Sequence, residues 1–150
     1  MDTELDQDAL AALATRYALT PGVGAGPLRF GDRVSDHPEL ILRDPEPAFA
    51  GENHAEYGLT GVEETLIVYV DEHGKLDSIS FYEFCVFEGR DLIGMGVGEM
   101  LVRLGTPDAI EAEEIGRDLE LLYAYDRLGL TIWTVDGEVC VVQAVYRGLG

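Results

Sequence analysis

The chain predicts an α+β fold, an antiparallel meander sheet of about five strands with short helices packed on one face. Three features of the sequence carry that expectation. Apolar residues recur with a period of two in segments beyond residue 62, helical spacing is confined to two short stretches, and an Asp136-Gly137 pair joins the last two strand-like segments. A period of two sends alternate side chains to opposite faces of a pleated strand. Asp-Gly accepts the positive φ angles of a tight hairpin turn.

Taken in order, the first helix is expected over 6–17, where Leu10, Leu13 and Tyr17 fall at helical spacing beside Ala9 and Ala14. Asp2, Glu4, Asp6 and Asp8 complement the positive start of that helix, and Pro21 and Gly22 end it. The stretch Gly22 to Pro27 is rich in glycine but has no apolar strand before it and no Gly-Lys-Ser/Thr at its end. It reads as a flexible connector rather than a phosphate cradle. From 32 to 57 the chain is polar and broken by Pro38, Pro45 and Pro47, leaving at most a turn of helix around Glu39 to Leu42.

Strands are expected over 63–70 and 76–87, joined across the polar turn Asp71-Glu72-His73-Gly74-Lys75. A second helix is expected over 96–104, with Val97, Met100, Leu101 and Leu104 on one side and Gly105 as its stop before Pro107. Glu111-Ala112-Glu113-Glu114 reads as an acidic loop, and strands follow over 119–125, 130–135 and 138–146.

Charge is the strongest compositional signal. The 150 residues carry 29 Asp and Glu against 10 Lys and Arg, a formal charge of −19, yet 47% of them are hydrophobic. An acidic disordered segment lacks the apolar residues to fold, so this charge belongs on the outside of one packed domain spanning 1–150. An anionic surface repels phosphates, which argues against nucleic-acid binding and for a basic protein partner. No apolar run approaches the roughly 20 residues that cross a bilayer. The acidic start Met1 to Asp6 is unlike a secretory signal, so a cytoplasmic protein with no membrane association is expected. Cys85 and Cys140 sit in apolar strand-like segments and read as free buried thiols, too far apart in sequence for a zinc pair.

The halves 26–88 and 90–147 read as unequal copies of one unit. Phe30-Gly31 answers Met95-Gly96 and Val70-Asp71 answers Val135-Asp136, both at the same offset, while Pro38 interrupts in the first copy what is a clean helix in the second. Gly26-Pro27-Leu28-Arg29-Phe30-Gly31 and the run from Ile93 to Asp108, each ahead of a meander, resemble the repeat of the β-lactamase-inhibitor-protein-like fold. That resemblance implies small helical segments on one side of a curved sheet whose other face meets a partner. The small acidic single-domain form is also similar to the immunity proteins of bacterial polymorphic toxin systems.

Catalytic chemistry finds little footing. His37, His54 and His73 lie in polar stretches without metal-ligand spacing, and read as solvated loop residues. Ser35, Ser78 and Ser80 lack the glycines of a nucleophile elbow, and Cys85 lies mid-strand. Paired carboxylates such as Glu63-Glu64, Asp71-Glu72 and Glu113-Glu114 are too abundant to be selective, and Glu111, Glu113 and Glu114 lack the spacing of a Ca²⁺ loop. The expectation is a protein without enzymatic activity, metal or cofactor.

Binding is better founded. Ile79 and Phe81 share one face of a strand and Tyr82, Phe84 and Val86 the other, so both faces carry large apolar groups. Leu119, Leu121, Tyr123 and Tyr125 share a face, and Trp133 falls with Thr131 and Val135. Either the first helix and the long acidic loop cover both faces, or some of these residues meet a partner. The candidate partner-binding set is Tyr82, Phe84, Tyr123, Tyr125 and Trp133, ringed by Glu111, Glu113, Glu114, Asp118 and Glu120. It suits an immunity-type inhibitor that blocks the basic active site of a toxin or enzyme. Self-association as a homodimer and small-ligand binding are the alternatives.

Overall fold

The computed structural model describes residues 7–43, 55–62, 65–115 and 118–146, and within these the side chains of all but 55, 113–115, 118 and 119. The fold is α+β with helices α1 (Gln7–Arg16) and α2 (Val97–Leu104). Its main sheet has eight antiparallel strands rather than five: β4 (Leu40–Leu42), β5 (Ala55–Leu59), β6 (Leu66–Val70), β7 (Leu76–Phe81), β10 (Ala109–Ile115), β11 (Asp118–Tyr125), β12 (Leu130–Val135) and β13 (Glu138–Val145). Their order across the sheet is β10-β11-β12-β13-β7-β6-β5-β4. Two smaller sheets flank it, β1 (Leu19–Thr20), β2 (Gly24–Ala25) and β3 (Leu28–Arg29), and β8 (Val86–Phe87) with β9 (Arg90–Asp91). Among the described residues, no helix is long and apolar enough to cross a membrane.

The extra strands come from segments with weak sequence signals. Glu39 to Leu42, expected as a helical turn, supplies β4, which pairs with β5 through Leu40–Leu59, Ile41–Gly58 and Leu42–Tyr57. The expected acidic loop at 111–114 is the middle of β10, paired with β11 at every position from Ala109 to Ile115. The glycine-rich connector is ordered too. Gly26 has φ 56°, and a Cβ there would collide with the carbonyl of Arg16, so only glycine lets β2 and β3 close against the end of α1. Ala25 and Leu28 are fully buried as a result.

One hydrophobic core lies on a single face of the main sheet. Leu66, Val68, Ile79, Phe81, Tyr123, Tyr125, Leu130, Ile132, Val142 and Ala144 point into it, and cross-strand register keeps them on the same side. Ala14 and Tyr17 at the end of α1, Leu19, Ala25 and Leu28 from the small sheet, and Met100 and Leu104 from α2 close it from above. The helices therefore share one face. Burying one apolar stripe of each on a half-buried sheet is the standard solution for a two-layer α+β domain.

The Asp136-Gly137 turn forms as the sequence predicts, with φ of 52° and 81°. Two places in the fold repeat the same bonds. The Val34 N–H donates to Gly74 O and the Val97 N–H to Gly137 O, both at 2.9 Å. Gly31 and Gly94 donate to the carbonyls of Leu76 and Val139, both at 2.8 Å, while Leu76 and Val139 donate back to Asp32 O and Met95 O. The first set of bonds leads into a single 3-10 turn, Val34–Asp36, ahead of Pro38, and the second leads into α2.

Candidate functional site: the open face of the sheet

Register fixes what the second face of the sheet carries. Leu122 stands opposite Trp133, and Trp133 opposite Val141. Tyr82 follows Phe81, the partner of Val142, and continues the ladder with its N–H on Thr65 O. Leu122, Trp133, Val141 and Tyr82 thus form an apolar row running across β11, β12, β13 and the end of β7. All four are partly exposed and none joins the core cluster. Both helices pack into the core on the other side, while Ile67 and Ser80, on the same face as the row, are 7% and 4% exposed.

The row has an acidic border. Glu111 stands opposite Leu122 at one end. The next row along the strands pairs Glu120 with Val135 and Val135 with Glu138. Glu111 and Glu138 are exposed and Glu120 is half-buried. On the opposite side of the row lie smaller groups, Ala124, Thr131, Gln143 and Ser80, paired in sequence across the strands. Beyond them Tyr69 stands opposite Ser78 and Glu56, and Glu56 pairs with Arg43 at 3.7 Å.

Two titratable groups report on how dry this face is. Burial, reinforced by Tyr82, pushes the Tyr69 hydroxyl up to about 12, and its hydrogen bonds reach Ser80 and Tyr82. The Cys140 thiol is pushed up by burial first and by the negative charge of Glu120 second. Both shifts favour the protonated form of the group.

The structure divides the expected binding set. Tyr82 and Trp133 lie on the open face with Glu111 and Glu120 at its acidic side. Phe84, Tyr123 and Tyr125 do not: they are 1%, 5% and 1% exposed and belong to the core. Tyr123 and Tyr125 alternate with Leu122 and Ala124, so they face the helices. Tyr125 also donates its hydroxyl to Gly105 O at 3.0 Å, tying β11 to the end of α2. Strand β7 ends at Phe81, and the chain then turns so that Phe84 packs edge-on against Phe81 at 6.3 Å. Cys85 follows it into the core rather than lying mid-strand, and burial pushes its thiol well above the usual range. Glu113, Glu114 and Asp118 occupy ladder positions opposite Glu120, Leu119 and Ile115, and their side chains lie outside the described residues.

Sequence reasoning missed Leu122, Val141 and Tyr69. The usable signal was parity: once Tyr123 and Tyr125 are core, the residues between them must be open. His37 also departs from expectation. It is only 11% exposed, and its Nε2 and Nδ1 lie 2.9 and 3.5 Å from the carboxylates of Asp32 and Glu39. His73 is exposed as expected, and His54 lies outside the described residues. Among the described residues, no group of His, Cys, Asp and Glu is placed to hold a metal ion. No protein-family model, no curated protein and no solved structure matches the chain.

Proposed function

We propose that the protein is a stoichiometric inhibitor of the immunity type, which binds a basic toxin or enzyme with the open face of its sheet and has no catalytic activity of its own. The observation that carries this reading is the row Leu122, Trp133, Val141 and Tyr82, partly exposed on the face away from both helices and bordered by Glu111, Glu120 and Glu138. Tyr and Trp supply large contact area at small entropic cost, and a carboxylate rim steers and orients a cationic partner. A charge of −19 adds long-range attraction to any basic active site built to hold phosphates. The reading places the protein in a bacterial cytoplasm, where it would meet its target.

Two further points support the resemblance to the β-lactamase-inhibitor-protein-like fold. The repeated bonds at Val34 and Val97, and at Gly31 and Gly94, fit a duplicated unit of one helical turn and four strands. In that duplication Gly74 corresponds to Gly137, so the register of the copies differs slightly from the one the sequence suggests. The sheet order, β10 to β13 followed by β7 to β4, fits two such units joined at their last strands.

The test is titration against a panel of basic nuclease-type toxin domains, including any encoded beside this gene, by calorimetry and by inhibition. One-to-one binding that weakens with salt, and falls by about 2 kcal/mol in Trp133→Ala, supports the reading. Failure of the whole panel to bind at low salt would sink it. A second copy of the chain could also cover an apolar face, but it would bring Glu111, Glu120 and Glu138 against like charges. A stable dimer by light scattering that dissociates in Trp133→Ala would select that alternative.

A further inference from the structure

We propose that β10 is a second docking element, an edge to which a basic extended segment of the partner adds as a ninth strand. The inference rests on the protein-binding reading above and names a second mode of contact. Strand β10 is the outermost of the eight, and it pairs with β11 over Ala109 to Ile115 without a register shift. An edge strand leaves alternate backbone N–H and C=O groups without a ladder partner, which makes it a template for another strand.

Edges are normally blunted by shortness, a bulge, a proline or charged side chains, lysine above all. The opposite edge of this sheet is short, with three residues in β4. Strand β10 has seven residues without Pro, Lys or Arg, and its only charges are those of Glu111, Glu113 and Glu114, which deter a like-charged strand but not a cationic one. Its described side chains, Ala109 to Ala112, are all exposed, with Ile110 at 56%. The strand is also held in place before any partner arrives. Asp108 donates its N–H to Ala124 O at 2.7 Å and accepts the Asp126 N–H on its carboxylate at 2.6 Å. An edge ordered in advance loses little entropy on binding.

Charge selects the occupant. The strand contains Glu111, Glu113 and Glu114 and no cation, in a molecule of charge −19. Pairing with a second copy would set carboxylates against carboxylates, whereas a strand bearing Lys or Arg would match them. Because Ile110 and Ala112 alternate with Glu111, the fitting segment alternates as well, with cations on the side of Glu111 and aliphatic side chains on the side of Ile110.

The experiment uses the full chain and a synthetic peptide of alternating Lys and Val. Two further peptides carry N-methyl groups on one or the other alternating set of amides, which keeps the charge and removes hydrogen bonds from one edge. The parent peptide should bind by calorimetry and slow amide hydrogen exchange within 109–115, Glu111→Lys should weaken it, and one N-methylated peptide should bind at least about tenfold more weakly. Equal binding of all three peptides, or protection only outside β10, would overturn the proposal in favour of diffuse electrostatic attraction. A dimer of the chain that dissociates in Ile110→Lys would overturn it as well, by making a second copy the occupant. Peptide binding should be unchanged in Trp133→Ala. If the peptide fails while a basic domain still binds in a Trp133-dependent way, the edge proposal falls alone; if neither binds, the protein-binding reading falls with it.

Discussion

The Cys140 thiol donates to the carbonyl oxygen of Trp133 at 3.3 Å, across a bulge that shifts β13 against β12 between Trp133 and Thr134. The bulge takes Cys140 out of the ladder. As a result Val139 and Val142, three positions apart, both enter the core while Val141 joins Trp133 on the open face. A strand of strict alternation would have put one of those valines on the wrong side.

Neighbouring residues on β12 should therefore respond very differently to truncation. Ile132→Ala removes a fully buried side chain and should cost about 2–5 kcal/mol. Trp133→Ala, on the partly exposed face, should cost about 1 kcal/mol or less of stability while weakening partner binding. Urea unfolding of both variants checks the contrast, and equal losses would show that the second face is sealed.

The two thiols should separate in reactivity. Burial, with the negative charge of Asp91 adding to it, pushes Cys85 far up, and the half-buried Cys140 less so. A thiol reagent should label Cys140 in the native protein and Cys85 only after global unfolding. Mass spectrometry of timed aliquots would read the order directly.

Alkaline stability should carry the signature of Tyr69. Its folded-state value of about 12 lies above the ordinary 10.0, so the folded protein keeps a proton that the unfolded chain releases. The stabilisation is complete below pH 10 and is lost as pH rises from 10 towards 12. Tyr69→Phe should flatten the fall of melting temperature in that window, and phenolate absorbance should show one late-titrating tyrosine fewer.

Added salt should raise stability. Repulsion among surface carboxylates opposes the compact state and is screened over about 10 Å at 0.1 M ionic strength. The melting temperature should climb with sodium chloride at neutral pH, and a flat response would mean that the anionic surface is already compensated locally.

Much of this architecture was legible in the sequence, for reasons that differ by element. Strands β12 and β13 announce themselves through clean alternation and Asp136-Gly137. Helix α2 does so through Met100 and Leu104 ahead of Gly105. Strand β10 was illegible because an edge with both sides wet needs no hydrophobic period, and Glu-rich runs have low strand preference. Leu40 to Leu42 is too short to show any period beside Pro38. The expected set divides between core and second face because alternation shows which residues share a face without saying which face the helices cover. Tyr123, Tyr125 and Trp133 look alike in that respect, and the packing of α1 and α2 alone tells them apart.

The main sheet has a single seam between its halves, where Ser78 to Phe81 of β7 meet Val142 to Val145 of β13. Every other ladder in it joins strands adjacent in sequence. Each four-stranded half can zip up locally, but closing the seam means bringing together segments separated by nearly half the chain, an entropic loss that only the finished core offsets. Folding speed should therefore be governed by that one closure.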